Sequence, residues 1–198
     1  MFTGITETTG KVISLEKTKG NLSITVSSPI SNGLKIDQSL SHNGVCLTVV
    51  AIDKKKKTHS VVAIQETIKR SNLGDLGVGS EINLERCLKL GDRLDGHLVL
   101  GHIDTRATCS HVQKLAGSRI LSFEYDYRPG FLTVEKGSVC LNGISLTVIR
   151  SKKNSFSVAV IPYTLDHTNL KEIKTGDKVN IEFDSIGKYV SKILSLKS

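Results

Sequence analysis

The chain lacks the features that would carry it across a membrane, onto a structural metal or onto stacked bases. No run of eighteen apolar residues occurs in its 198, so no transmembrane helix is expected. The opening MFTGITETTGKV has no basic stretch leading into an apolar one, so no secretory signal is expected and the location is read as cytoplasmic. Cys46, Cys87, Cys109 and Cys140 are widely scattered and form no C-x-x-C pair, which argues against zinc and for free thiols. Aromatic residues make up 5%, too few for a base-stacking platform. With three prolines, 38% apolar and 23% charged residues, the composition is globular rather than disordered. There is no phosphate loop, G-x-G-x-x-G, H-E-x-x-H or G-x-S-x-G, so no short signature names a reaction.

What the chain does have is positive charge and a repeat. The formal charge is +8, with one dense cluster, Lys54–Lys57, between two apolar runs. A solvated hairpin tip accounts for it, and nucleic acid is not an expected partner. The phrase SLSHNGVCLTVV (39–50) returns as SVCLNGISLTVI (138–149), offset by 99, with six of twelve positions identical. A second block, IQETIKRSNLGDLGVGSEINLE (64–85), returns as IPYTLDHTNLKEIKTGDKVNIE (161–182), offset by 97, with seven of 22 identical. Both Glu85/Glu182 and Asn72/Asn169 are among the identities. The two residues lost between the blocks fall at the lysine turn, where a surface loop tolerates them. Two homologous domains follow, divided near Leu90–Gly96.

Each half alternates. Val45, Leu47 and Val49 lie on one face of a strand, and Gly44, Cys46 and Thr48 on the other; Ile144, Leu146 and Val148 repeat this against Gly143, Ser145 and Thr147. Asn43-Gly44 and Asn142-Gly143 suit tight hairpin turns. Further strands are expected at 22–26, 59–64, 80–84, 97–103, 120–125, 155–160 and 178–183, and short helices around 67–73 and 164–170. The pattern predicts an all-β chain with an antiparallel barrel in each half. In the last segment, Ile186, Tyr189, Val190, Ile193 and Leu194 follow helical spacing. That apolar face docks on a partner subunit or on its own barrel.

Chemistry-bearing residues are few. Cys46, Thr48, Ser145 and Thr147 place a thiol and hydroxyls beside glycines, where a ring could approach the backbone; they also suit ordinary hairpin positions. His102 suits proton transfer by its residue type but equally fits a structural role. Cys46 is a nucleophile only if its thiolate is stabilised. Glu66, Asp75, Asp104 and Asp184 read as surface charges or helix caps.

MFTGITETTGKV, the N-G-V-C-L-T and N-G-I-S-L-T pair, the Glu66–Gly74 block, GHLVLGHID and IPYTLDHTNL together resemble the riboflavin synthase alpha-chain family, in order and over the whole chain. The resemblance implies two tandem six-stranded Greek-key β-barrels, residues 1–94 and 95–184, and a C-terminal helix, 185–198, through which three chains associate. It implies conversion of two molecules of 6,7-dimethyl-8-ribityllumazine into riboflavin and 5-amino-6-ribitylamino-uracil by transfer of a four-carbon unit, with no metal or redox cofactor. Lumazine synthase is the further protein partner it suggests. Each site would pair the first barrel of one subunit with the second barrel of a neighbour.

By position, the first pocket would use Gly4, Ile5, Thr6, Cys46, Leu47, Thr48, Val62, Ala63, Ile64, Gln65, Glu66 and Thr67. The second would use Gly101, His102, Ile103, Lys136, Ser145, Leu146, Thr147, Val160, Ile161, Pro162, Tyr163, Thr164 and Leu165, with Asp184 nearby. His102 would assist proton transfer, Ser145 and Thr147 would hold the ring, and Cys46 and Ser39 would shape the other site. Glu66, Thr67 and Thr164 would orient the ribityl chain. The chain departs from the family pattern at Asp95 and at Thr105-Arg106, where glycines are expected. A fluorescent lumazine or flavin carrier without activity is the alternative, but both N-G-x-[CS]-L-T copies are intact here.

Overall fold

The alternating strands close into two antiparallel barrels of six strands each. The computed structural model describes residues 1–196. The first barrel comprises β1 (Thr8–Thr18), β2 (Asn21–Ser27), β3 (Ser39–His42), β4 (Val45–Asp53), β5 (Thr58–Ala63) and β6 (Glu81–Arg86), with α1 (Gln65–Arg70) between the last two. Around the barrel the order is β1-β2-β5-β4-β3-β6, a Greek key. The second repeats it with β7 (Thr105–Leu115), β8 (Ser118–Glu124), β9 (Ser138–Leu141), β10 (Ile144–Ser151), β11 (Ser155–Val160), α2 (Pro162–His167) and β12 (Lys178–Phe183). A helix, α3 (Ser185–Ser195), follows. Of the expected helix over 185–198, residues 197 and 198 lie outside the described residues.

The faces fall as the alternation requires. Val45, Leu47 and Val49 are buried, Thr48 is exposed and Cys46 is half-buried; Ile144, Leu146, Val148, Thr147 and Ser145 match them one for one. Asn43 (φ 48°) and Gly44 (φ 80°) adopt the left-handed geometry of a tight hairpin, as do Asn142 (φ 45°) and Gly143 (φ 80°). Bulges interrupt β4 after Val49 and β10 after Val148, helping to curl each sheet closed.

One expected strand is absent. Residues 97–103 alternate like a strand but form only an isolated bridge, Phe2 to Val99. Gly101 takes φ 83°, and the amides of Leu100, Gly101 and His102 turn instead to the Glu182 carboxylate at 2.7, 2.9 and 2.9 Å. The N-terminus does the same. Thr3 and Gly4 donate to Glu85 at 2.6 and 3.0 Å, and the Thr3 hydroxyl joins them at 2.7 Å. Residues 1–7 and 98–104 are therefore arms, each tied to its own barrel by a buried glutamate.

Each arm then crosses to the other barrel. Ser145 N donates to Gly4 O at 2.7 Å, and Cys46 N donates to Gly101 O at 2.9 Å. Between the arms the two Asn-Gly turns meet: a Cβ on Gly44 would lie 2.7 Å from the Gly143 nitrogen, and the converse holds. Six asparagines seal this junction in symmetry-related pairs. Asn72 N and Asn169 N bond to the side chains of Asn180 and Asn83 at 2.6 and 2.9 Å, and Asn83 and Asn180 amides reach the carbonyls of Asn142 and Asn43 at 2.9 and 2.8 Å.

The interiors differ. The second barrel is aromatic, with Phe123 on Phe156 and Phe131 on Phe183 at centroid separations of 5.6 and 5.2 Å. The first instead holds a buried histidine pair. His42 Nδ1 must donate to the Leu40 carbonyl at 3.1 Å, so His42 Nε2 is bare and accepts from His59 Nε2 at 2.9 Å. His59 Nδ1 then accepts from Ser31 at 2.8 Å. Burial and the facing His59 push His42 down to about 3, and burial pushes His59 down to about 4. The rings are neutral when folded and take up protons on unfolding below about pH 6.5, so stability is lost as pH falls from there toward those values. Urea unfolding is expected to cost on the order of 2 kcal/mol less per ring at pH 5 than at pH 7, and the His42→Leu, His59→Leu double variant should flatten that slope.

The helix α3 starts at Asp184, whose side chain accepts from Ile186 N at 2.9 Å. It has no buried residue. Ile186, Tyr189, Val190, Ile193 and Leu194 are all exposed, so its own barrel does not cover the apolar face.

Candidate active site

The arm exchange builds a lined cavity at the first barrel and a matching arm contact at the second. At the first barrel, Val45, Cys46, Glu66, Thr67 and Arg70 meet Gly101, His102 and Ile103 of the second arm around a cavity of about 200 Å³. Gly101 is held so close that a Cβ there would sit 2.6 Å from Cys46 Cβ. Glu66 is bonded to Arg70 at 2.9 Å, fixing both on one side of α1. The His102 ring is exposed and makes no hydrogen bond among the described residues. A wider polar groove of about 830 Å³ runs on from Glu66 and Arg70 past Asp104, Arg106 and Arg128.

Cys46 faces Ser41 across the ladder, and its thiol interacts with Ser39. Burial pushes the thiol up, with Ser39 opposing it, so Cys46 is a neutral S–H rather than a thiolate nucleophile. In the second barrel thiol and hydroxyl have exchanged strands: Ser145 on β10 faces Cys140 on β9. All four cysteines are free.

At the second barrel, Ser145 meets the first arm at Gly4, and Thr147 lies exposed two residues on along β10. A Cβ on Gly4 would lie 2.7 Å from Ser145 Cβ, the mirror of Gly101 on Cys46. Ser145 Oγ lies 2.7 Å from His97 Nδ1. Ile161, Pro162 and Tyr163 stand exposed at the start of α2, and the Tyr163 ring stacks on His167 at 4.1 Å. Thr164 is half-buried, its carbonyl accepting from the Thr168 hydroxyl at 2.6 Å.

Residues 3–87 and 100–184 each match the lumazine binding domain, so the duplication spans nearly the whole chain. The chain is 35% identical over 198 residues to the riboflavin synthase of Actinobacillus pleuropneumoniae, covering 100% of this chain and 91% of that one. It is 38% identical over 201 residues to the riboflavin synthase of Mycobacterium tuberculosis (strain ATCC 25618 / H37Rv), covering 98% of each. The chain belongs to the riboflavin synthase family. The fold is also that of LumP crystallised with riboflavin, with a TM-score of 0.85 at 21% identity over 93% of this chain and 100% of that one. As a member of the riboflavin synthase family, the chain is an enzyme of that kind.

Against this family pattern, the arms correct one grouping made from sequence. Gly101, His102 and Ile103 were expected in the second pocket, and Gly4, Ile5 and Thr6 in the first. The structure places them the other way round, because each arm crosses to the opposite barrel. His102 thus stands with Cys46, Glu66 and Thr67, and Ile5 follows Gly4 in the first arm as His102 follows Gly101 in the second.

The remaining expected residues divide between rim and core. Val62, Ile64 and Gln65 are exposed near the first pocket, while Leu47 and Ala63 face the barrel interior. Leu146, Val160 and Leu165 are likewise buried on the second side. Lys136 is exposed in a turn at φ 66°, its amide bonded to Val148 O at 2.8 Å. Thr6 Oγ1 is buried without a partner. Of the departures, Asp95 is exposed in the linker, and Arg106 bonds to Asp75 at 3.0 Å without entering the Cys46 cavity. Sequence reasoning did not pick out His97, Glu85 or Glu182 for a role; the two glutamates were visible as a repeat identity and His97 as the first histidine of GHLVLGH.

Proposed function

We propose that the chain is a riboflavin synthase that converts two molecules of 6,7-dimethyl-8-ribityllumazine into riboflavin and 5-amino-6-ribitylamino-uracil. The observation that carries this is the pair of intact, related but unequal arm contacts: Cys46 with the His102 arm around a cavity in one, Ser145 with His97 and Gly4 in the other. The two substrate molecules are chemically identical, so only the protein can make one give four carbons and the other accept them. The C7 methyl of a lumazine is a carbon acid whose anion spreads into the ring. A positioned proton acceptor and polar groups along the ring edge would favour its loss.

In this reading the exposed His102 serves proton transfer in the first pocket. Glu66, Thr67 and Thr164 hold the ribityl chains, and Ser39, Thr48, Thr147 and Lys136 complete the polar edges. Proximity does much of the remainder, since stacking two rings makes a bimolecular step effectively intramolecular. The 200 Å³ cavity is smaller than the pockets that usually enclose a ligand of this size, which supports a site completed by a neighbouring subunit. The uncovered face of α3 supports a homotrimer as the assembly that brings a first barrel and a second barrel together. A cytoplasmic location suits the free thiols. Association with lumazine synthase would hand substrate over directly.

Incubating the protein with the lumazine and following riboflavin by absorbance is the test. Product is expected without added metal, and His102→Ala is expected to lower kcat by about 10²-fold. Bright bound fluorescence without product would assign the chain to the carrier class instead. Sedimentation of the intact chain should give three subunits.

A further inference from the structure

The two pockets differ most where the repeat places Cys46 in one and Ser145 in the other. Ser145 is already part of a hydrogen-bonded pair. Its Oγ lies 2.7 Å from His97 Nδ1, the length of a well-formed bond. The His97 backbone is fixed independently, its amide donating to Thr3 O at 3.1 Å. Gly96 beside it is closely packed as well: a Cβ there would strike the Thr3 carbonyl oxygen first, and would lie 2.9 Å from Ser145 Cβ and 3.1 Å from Oγ. Cys46 has no such partner: its thiol interacts with Ser39, and the His102 ring nearby makes no hydrogen bond among the described residues.

We propose that His97 is a positioning residue that acts through Ser145, so that the pair gives the second pocket a preformed route for removing a C7-methyl proton. This rests on the riboflavin synthase reading above and goes beyond it by making the second-pocket ring the first to be deprotonated. With its own proton on Nε2, His97 accepts the Ser145 hydroxyl proton at Nδ1. As the substrate methyl proton passes to Ser145 Oγ, the serine proton passes to Nδ1. The C–H electron pair stays on the substrate and spreads into the ring, leaving a neutral serine, an imidazolium and a delocalised anion. Burial pushes His97 down, while Asp184, the cap of α3 and the charged group facing the ring, opposes it. The ring is therefore an unprotonated acceptor at neutral pH and a ready donor afterwards.

The test uses the full-length wild type with His97→Asn, His97→Gln, Ser145→Ala and the His97→Asn, Ser145→Ala double variant. Both amides can accept the serine hydroxyl through their carbonyl oxygen, but neither can take its proton. With the lumazine as substrate, H97N is expected to keep KM within about twofold and lose about 10²-fold in kcat. The acid limb of its kcat–pH profile, and its deuterium exchange at the C7 methyl, should be lost together. The double variant should be no slower than the worse single one, as for residues that act as a unit. Thermal melts check folding, and H97Q repeats the measurement if H97N does not fold. The 15N shifts of His97 in the unmodified protein give a readout independent of turnover: a bare Nδ1 is expected, and a protonated Nδ1 would overturn the proposal. Unchanged kcat and pH limb in both amide variants, with riboflavin still formed by the wild type, would sink the pair alone. Absence of riboflavin from the wild type would instead remove the family reading, and this inference with it.

Discussion

Gly101→Ala is expected to cost the chain about 2–5 kcal/mol and most of its turnover. Two effects add. An alanine at φ 83° sits in left-handed backbone, which costs roughly 1–2 kcal/mol for a residue with a Cβ. That Cβ would also lie 2.6 Å from Cys46 Cβ and 3.0 Å from the Cys46 nitrogen, neither of which is a flexible end. Overpacking of this kind costs about 1–3 kcal/mol, or a shift of the strand. At about 2–4 °C per kcal/mol for a chain of this size, the melting temperature should fall by about 5–15 °C. His102 is the next residue, so the displaced arm carries it away from its pocket, and ångström-scale misplacement alone can cost about 10²-fold in rate. Gly20→Ala is the control. It shares the backbone geometry, at φ 84°, but meets nothing within 4 Å, so it should show only the backbone cost and full turnover. Equal losses in the two variants would mean that close packing against Cys46 is not what Gly101 is for.

Glu182→Ala should be as damaging, for a different reason. Three backbone N–H groups converge on one carboxylate that is 3% exposed, so it is the shared acceptor that holds the arm's turn in shape. Removing it strands those donors, at about 1–3 kcal/mol each where water does not replace it. A total on the order of 3–5 kcal/mol is expected. Glu182→Gln should fall between: it keeps one acceptor oxygen but points an NH2 at amides that also donate. Hydrogen exchange locates the effect. The amides of Leu100, Gly101 and His102 should lose protection before the barrel strands do. Glu182→Ala with those amides still protected would show that the arm is held by something else.

The barrels were legible because their signals are local. Strict alternation around Leu47 and Leu146, the Asn-Gly turns and the matched blocks identify hairpins and a duplication without any long-range information. The long strands β1 and β7 were not picked out, since their outer halves, such as Glu16-Lys17-Thr18, run exposed and charged and lose the apolar beat. The segment 97–103 misled for the opposite reason. Its apolar residues alternate as in a strand, but left-handed Gly101 and the Glu182 carboxylate divert its amides from any ladder. Which barrel receives which arm was not legible at all. Gly4 and Gly101 look the same to the sequence whether they fold back or cross over, because the surfaces that receive them are themselves repeats. The site inherited that ambiguity, so His102 was grouped with Ser145 and Thr147 although its arm lies against Cys46, Glu66 and Thr67. His97 was missed because a side chain four residues from an arm's crossing point at Gly101 declares its partner only once the arm is placed.

The crossed arms also say something about what counts as a folding unit here. Each half alone would leave its arm without a seat and its own Asn-Gly strand without the arm that caps it. The arrangement is a domain-swapped dimer whose two protomers happen to share one chain, with residues 88–97 as the tether that makes their encounter first order. A tether relaxes the symmetry that a true dimer enforces. The two copies can then diverge at single positions, thiol here and hydroxyl there, while the turns and glutamates that lock the swap stay matched.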